Sequence, residues 1–184
     1  LKNSKMQKIS EDISLIKINL TDHKKLYDLM CSIYPPVYEH LWPDKGEWYL
    51  NTLYSKKNLE LELNNADSMY YFVSYANDIV GILRVLLNED LIGIDNCNTF
   101  KLQRIYLDPS VQGKGIGKKL VHWVQSEFSD NERSIMWLEA MDTQHKAIEF
   151  YQKLGFIIVN KFRFQSEFMF ENLRGMYRMS KEIG

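Results

Sequence analysis

Residues 108–117 read Asp108-Pro109-Ser110-Val111-Gln112-Gly113-Lys114-Gly115-Ile116-Gly117, and the period of the chain changes across them. Before them, Phe100 to Leu107 is a β-rich run that Asp108-Pro109 stops. After them, Ile116, Leu120, Trp123, Val124 and Phe128 keep the three-to-four spacing of an amphipathic helix. The pattern is strand, glycine-rich loop, helix. Glycines let a backbone turn sharply and approach a ligand with no Cβ in the way. A helix start adds unpaired N–H groups and the positive end of the dipole, which suit phosphate oxygens. Lys114, Lys118 and Lys119 add positive charge. Two common phosphate loops do not fit. A Walker A loop would need Gly where Gln112 stands and Ser or Thr where Lys119 stands, and a dinucleotide fingerprint would need Gly in place of Lys118.

Outward from the loop, Ser134 to Met141 is a strand. Gln144 to Leu154 is a helix, with Ala147, Phe150, Tyr151 and Leu154 on one stripe and Gly155 at its C-terminal stop. Phe156 to Phe162 and Met176 to Ile183 complete the strands. Upstream, Met69 to Tyr75 and Ile79 to Leu87 flank the turn signal Asn77-Asp78 and predict a hairpin. Ile13 to Ile18 predicts a first strand. Leu26, Leu29, Met30 and Ile33 predict a helix with Thr21 or Asp22 as its cap, ended by Pro35 and Pro36. Shorter helices are expected after Pro43-Asp44 and near Leu59 to Leu63. The order β-α-α-β-β-β-α-β-α-β-β, hairpins first and a β-loop-α-β unit after, predicts a mixed α/β fold: a twisted sheet with helices on both faces. The first dozen residues read as a loose arm, and 13–184 as a single domain.

Composition excludes several classes. The 184 residues are 45% apolar and 26% charged, so the chain is neither disordered nor fibrous. A chain of this length buries roughly 70% of its unfolded surface, enough for a core without staples. The formal net charge is −1, which leaves no global basic field for nucleic acid. Cys31 and Cys97 read as reduced thiols of a cytoplasmic protein and lack metal-ligand spacing, so no metal is expected. No apolar run approaches a membrane span, and residues 1–12 lack the apolar core of a secretory signal.

The loop, with Gln112, Gly115 and Gly117 as Gln-x-x-Gly-x-Gly, resembles the coenzyme A loop of the GCN5-related N-acetyltransferase (GNAT) superfamily. Downstream, Ala147-Ile148-Glu149-Phe150-Tyr151-Gln152-Lys153-Leu154-Gly155-Phe156 resembles that family's Ala-x-x-Phe-Tyr-x-x-x-Gly-Phe segment. The two motifs, in order and in a matching string of elements, carry the resemblance over Ile13 to Ile183. It implies a mostly antiparallel sheet of about seven strands, with two parallel strands splayed to admit acetyl-CoA. It implies backbone contacts to the cofactor from Ile105 and Leu107, and a pyrophosphate cradle over Gln112, Gly113, Lys114, Gly115, Ile116, Gly117 and Lys118. Gln144, where relatives often carry Asn, would also meet the cofactor.

Tyr151 matches the family tyrosine that reaches the cofactor sulfur, where a phenol of pKa about 10 can protonate a leaving thiolate. Many relatives carry Glu on the strand before the loop. Lys101 and Gln103 stand there, so Glu139 and Asp142 are the candidate bases, with capping of the next helix as the other reading for Asp142. Tyr38, His40 and Trp42, among neighbouring aromatics and acids, are the candidate acceptor residues, because rings and carboxylates suit an amine cation. The pattern is similar to the polyamine acetyltransferase branch, which makes spermidine or spermine the expected acceptor. A protein N-terminus or lysine, a small antibiotic amine, and an inactive coenzyme A sensor are the alternatives. The aromatic and Met-rich tail (Phe164, Phe168, Met169, Phe170, Met176, Met179) is read as covering an edge, folding inward, or pairing with a second copy. A homodimer through the last strands is the expectation borrowed from the family.

Overall fold

A computed structural model describes residues 6–94, 97–130 and 133–184. The strands are β1 (Met6–Lys8), β2 (Ile13–Lys17), β3 (Ser68–Tyr75), β4 (Asp78–Leu87), β5 (Asn98–Leu107), β6 (Ser134–Met141), β7 (Ile157–Arg163) and β8 (Gly175–Ile183). The helices are α1 (His23–Ile33), α2 (Pro35–Tyr38), α3 (Glu47–Leu53), α4 (Lys56–Asn64), α5 (Ile116–Phe128) and α6 (His145–Lys153). The strands form one sheet in the order β1-β2-β3-β4-β5-β6-β8-β7. Every neighbouring pair is antiparallel except β5 and β6.

Alternation along the strands makes two main cores among the described residues, one on each face of the sheet, beside a small cluster of Leu91, Ile135 and Trp137. In β3, Tyr71 and Val73 join α5 and α6 through Leu120, Val121, Val124 and Ile148. Tyr70 and Phe72 point the other way, onto Leu26, Met30 and Ile33 of α1, Leu50 of α3 and Leu59 of α4. The apolar stripes of α1 and α5 thus bury the faces their spacing predicts.

Three local features differ from expectation. Met6–Lys8, inside the segment read as a loose arm, pair with β2 and extend the sheet to eight strands; residues 1–5, with Lys2 and Lys5, lie outside the described residues. Pro35 does not simply end the first helix. It opens α2 at its first position, where its missing N–H costs no hydrogen bond. Asp22 does stand at the N-cap of α1, as expected, but its side chain makes no capping hydrogen bond there. The side-chain caps lie one turn earlier, on the 3-10 turn Leu20–Asp22, where the Asn19 side chain accepts from the Thr21 N–H at 2.9 Å and the Asp22 carboxylate accepts from the Asn19 N–H at 3.0 Å. This reciprocal pair satisfies two donors that would otherwise be orphaned.

The parallel pair positions the site. β5 and β6 are in register only from Asn98 to Lys101, against Ser134 to Trp137. On its other side β5 is paired to β4 up to Leu107, but the register slips where Arg84 faces Arg104 and Val85 faces Leu102, leaving Gln103 as an extra residue. Such a bulge bends its strand and raises the local twist. β6, meanwhile, follows β8 along its whole length. The C-terminal halves of β5 and β6 therefore diverge, and a wedge opens between them.

Candidate active site

The wedge is a cavity of about 350 Å³. Its walls are Lys101 to Tyr106 of β5 and Leu138 to Met141 of β6. One end is closed by Gln144, Ala147 and Tyr151 around α6, and the other by Tyr34, Tyr38, Trp42, Trp48 and Tyr49. The Asp108 N–H donates to the Val80 carbonyl at 2.8 Å, toward β4. Main-chain direction alternates along a strand, so Tyr106 and Arg104 also turn toward β4, while Leu107 and Ile105 turn their N–H and C=O groups into the wedge. Among the described residues, no strand pairs with that edge of β5 beyond Lys101.

The glycine loop stands at the end of this edge. Asp108 caps the turn before it, accepting from the Ser110 N–H at 2.8 Å, and these hydrogen bonds hold its carboxyl below the ordinary value. Gly113 and Gly115 have φ of +78° and +74°, a region that strains any residue with a Cβ, and the space beside each is open. Gly117 serves packing instead: a Cβ there would press on the Phe150 ring at 3.3 Å. The Lys119 N–H bonds back to the Gly115 carbonyl, so the amides just ahead of it have no helical partner. Ile116 buries its side chain and offers only its amide. Lys114 swings away, its Nζ 5.0 Å from the Tyr75 ring centre, while Lys118 and Lys119 stay exposed. The free amides, the left-handed glycines with open space and the unpaired strand edge fit the extended, phosphate-bearing shape of coenzyme A.

Among the expected catalytic residues, Tyr151 lines the wedge. Burial, with Tyr38 beside it, pushes its phenol well above the ordinary value, so it stays protonated at any working pH. Glu139 also lines the wedge, but both carboxylate oxygens are taken. Lys101 donates to Oε2 at 2.9 Å, and Arg178 donates to Oε1 at 2.7 and 3.1 Å. Burial alone raises its pKa, yet these two donors outweigh burial and hold it below the ordinary range. Asp142 is not in the lining. It sits against Gly175, where any Cβ would collide with its carboxylate, and it does not cap α6, which begins after Gln144 with no side-chain cap.

Of the acceptor candidates, Tyr38 and Trp42 line the wedge. Tyr38 is pushed up to about 12 by burial and by Tyr49. His40 is exposed and lies outside the lining. Of the aromatic and Met-rich tail, Phe164 and Met169 of the β7–β8 connection and Met176 of β8 line the aromatic end of the cleft, one of the readings open to them in the sequence. Other contacts had no local signal: the hydroxyls of Tyr49 and Tyr106 meet at 3.2 Å. Under the β5 bulge, Glu62 accepts from Arg104 at 2.8 and 2.9 Å and from Arg84 at 2.8 Å. Aromatic periodicity hinted at the rings, but nothing local could pair residues 22 and 42 positions apart.

Comparison with known proteins agrees with this geometry. The chain is 24% identical over 113 residues to an uncharacterized N-acetyltransferase in the pepI 3′ region of Lactobacillus delbrueckii subsp. lactis, covering 61% of this chain and 65% of that relative's length. The fold is similar to that of the PaiA N-acetyltransferase of Thermoplasma acidophilum solved with coenzyme A, at TM-score 0.68 and 19% identity over 93% of this chain and 99% of that one. It is also similar to the spermidine N-acetyltransferase SpeG of Vibrio cholerae, at TM-score 0.64 and 15% identity, covering 94% and 95% of the two chains. The acetyltransferase (GNAT) family model matches residues 24–156, which span both sequence motifs and the splayed strands, and the chain therefore belongs to the GNAT acetyltransferase family.

Proposed function

We propose that this protein transfers an acetyl group from acetyl-CoA directly to a primary amine while both are bound. The observation that carries the reading is the unpaired edge of β5 beyond Lys101, with the free amides of the glycine loop at its end and Tyr151 inside the wedge. Acetyl-CoA, when bound, supplies a thioester carbonyl open to a neutral amine. The main chain of Ile105 and Leu107 takes the cofactor arm as an added strand would. The amides of Gly113 and of Gly115 to Lys118 hold its phosphates, while the Lys114 N–H donates to the Val111 carbonyl at 3.4 Å, and Gln144 meets the cofactor from the start of α6. Tyr151 keeps a proton at its phenol for the departing sulfur. Neither Cys31 nor Cys97 lines the wedge, which favours direct attack over a thiol-bound relay.

No free carboxylate lines the wedge among the described residues, so the amine's proton leaves to water rather than to Glu139 or Asp142. Lys101 and Arg104 in the walls favour the uncharged amine, the form that attacks. Rings at the acceptor end and the likeness to SpeG support an amine cation as the incoming species; a protein amine and an inactive coenzyme A sensor are the competing readings. Two measurements decide among them: thermal shift by acetyl-CoA alone, and thiol release over a panel of amines, amino acids and short peptides. We expect a shift of several degrees and turnover on one amine class. A shift with no turnover on any amine would establish the sensor, and no shift at saturating cofactor would remove the loop assignment.

A further inference from the structure

The charges around the wedge do not balance. On one side, Arg84 and Arg104 share the single carboxylate of Glu62, with their side chains at most 10% exposed. On the other, Lys101 and Arg178 share Glu139. Each cluster carries two cations for one anion, and Glu139 is the one carboxylate in the lining among the described residues. The acids that the sequence placed near the acceptor are occupied or elsewhere. Asp44 anchors the start of α3, accepting from the N–H groups of Gly46 at 3.0 Å and Trp48 at 2.6 Å. Glu39 and Glu47 are exposed and outside the lining. A second or third ammonium group entering here would leave water for a site with surplus positive charge and no free carboxylate.

What the acceptor end does offer is ring surface. Tyr34 stacks between Tyr38 and Tyr49, with centroids 4.8 and 4.5 Å away. The Trp42 indole N–H fixes this stack by donating to the Tyr34 hydroxyl at 3.0 Å. Met169 and Met176 add adaptable thioether surface, which favours aromatic neighbours. The β7–β8 connection roofs the end. The Phe170 N–H donates to the Leu41 carbonyl at 3.0 Å, and Phe168 stacks on Trp48 at 4.2 Å. A roofed pocket suits a small molecule better than an extended chain.

We infer that the acceptor is a small primary monoamine with an aromatic or comparably apolar body, and that the surplus cations flanking the cleft exclude polyamines. The inference rests on the acetyl-transfer reading above and names the substrate class for the same site. Ring faces alone would serve either class; the two cations on Glu139, the one carboxylate in the lining among the described residues, decide between them.

The test compares initial rates with acetyl-CoA for phenethylamine, tryptamine, spermidine and a short peptide beginning with Met. We expect kcat/KM for the better aromatic amine to exceed that for spermidine and for the peptide at least tenfold. Trp48→Ala is expected to raise the phenethylamine KM fivefold or more with the acetyl-CoA KM unchanged within twofold, and Trp48→Phe to restore it. Tryptophan fluorescence with coenzyme A present reads amine binding without turnover, and a saturable change is expected with phenethylamine but not with spermidine. Spermidine or the peptide matching the aromatic amines in either readout overturns the inference. If acetyl-CoA stabilises the protein but no aromatic amine binds or reacts, the acceptor class is wrong and the cofactor site stands. If acetyl-CoA does not bind, the transfer reading fails, and the same fluorescence titration, run without cofactor, still decides which amine the pocket prefers.

Discussion

Tyr151 and Glu139 line one cavity and face opposite fates. Both are partly withdrawn from water, but Tyr151 meets another phenol, whereas Glu139 meets an ammonium and a guanidinium. One group therefore keeps its proton and the other has already lost it across the neutral range. Tyr151→Phe is expected to lower kcat by about 10²-fold or more, the scale of general acid catalysis, with the acetyl-CoA KM within about threefold of wild type. Unchanged turnover in a kinetic assay would take Tyr151 out of the mechanism. In wild type, neither group titrates near neutrality, so the rate should climb steadily toward the amine's own pKa of about 10. A sharp acidic limb near pH 6–7 would mean that a base has been overlooked. The sequence showed both residues, and it could not show that Arg178, 39 positions away, holds Glu139.

The strand-loop-helix element around residues 98–128 explains why glycine recurs. Gly113 and Gly115 are needed for their positive φ, and Gly117 for the approach of Phe150. Gly115→Val forces a β-branched residue into the left-handed region at the start of α5, at a cost of about 1–3 kcal/mol, and distorts the amide cradle. Its acetyl-CoA KM should rise at least tenfold, with the circular dichroism spectrum retained. A KM within twofold of wild type would mean that the phosphates bind elsewhere. This element was legible because turn, helix start and periodicity are local. The β5 bulge was not, since an extra residue shows only once β4 lies alongside.

The whole sheet is split by divergence between β5 and β6, and the Glu62 cluster ties α4, β4 and β5 together on one side of that split. Removing the anion leaves two buried guanidinium groups uncompensated, which costs on the order of 3–5 kcal/mol. Glu62→Gln should therefore lower the urea midpoint markedly, and Glu62→Ala further. A loss under 1 kcal/mol would mean that water enters the cluster. The Tyr54 hydroxyl near it is buried without a hydrogen-bond partner among the described residues, and it gives such water a place to bind.

The sequence by itself determined the element string apart from β1 and α2, the glycine loop, the Tyr151 helix and the family, because each depends on residues within a turn or two of one another. It also supplied the aromatic character of the acceptor region. Only the tertiary structure decided which aromatics line the wedge, that His40 and Asp142 stand outside it, that Met6–Lys8 join the sheet, and that the cleft's carboxylate is already paired. Those outcomes depend on contacts between distant segments, and the sheet brings such segments together by main-chain hydrogen bonds that form whatever the side chains are. Composition sums to a net charge of −1, yet the cleft is flanked by surplus cations. A charge balance is a property of where residues meet, and only folding sets that.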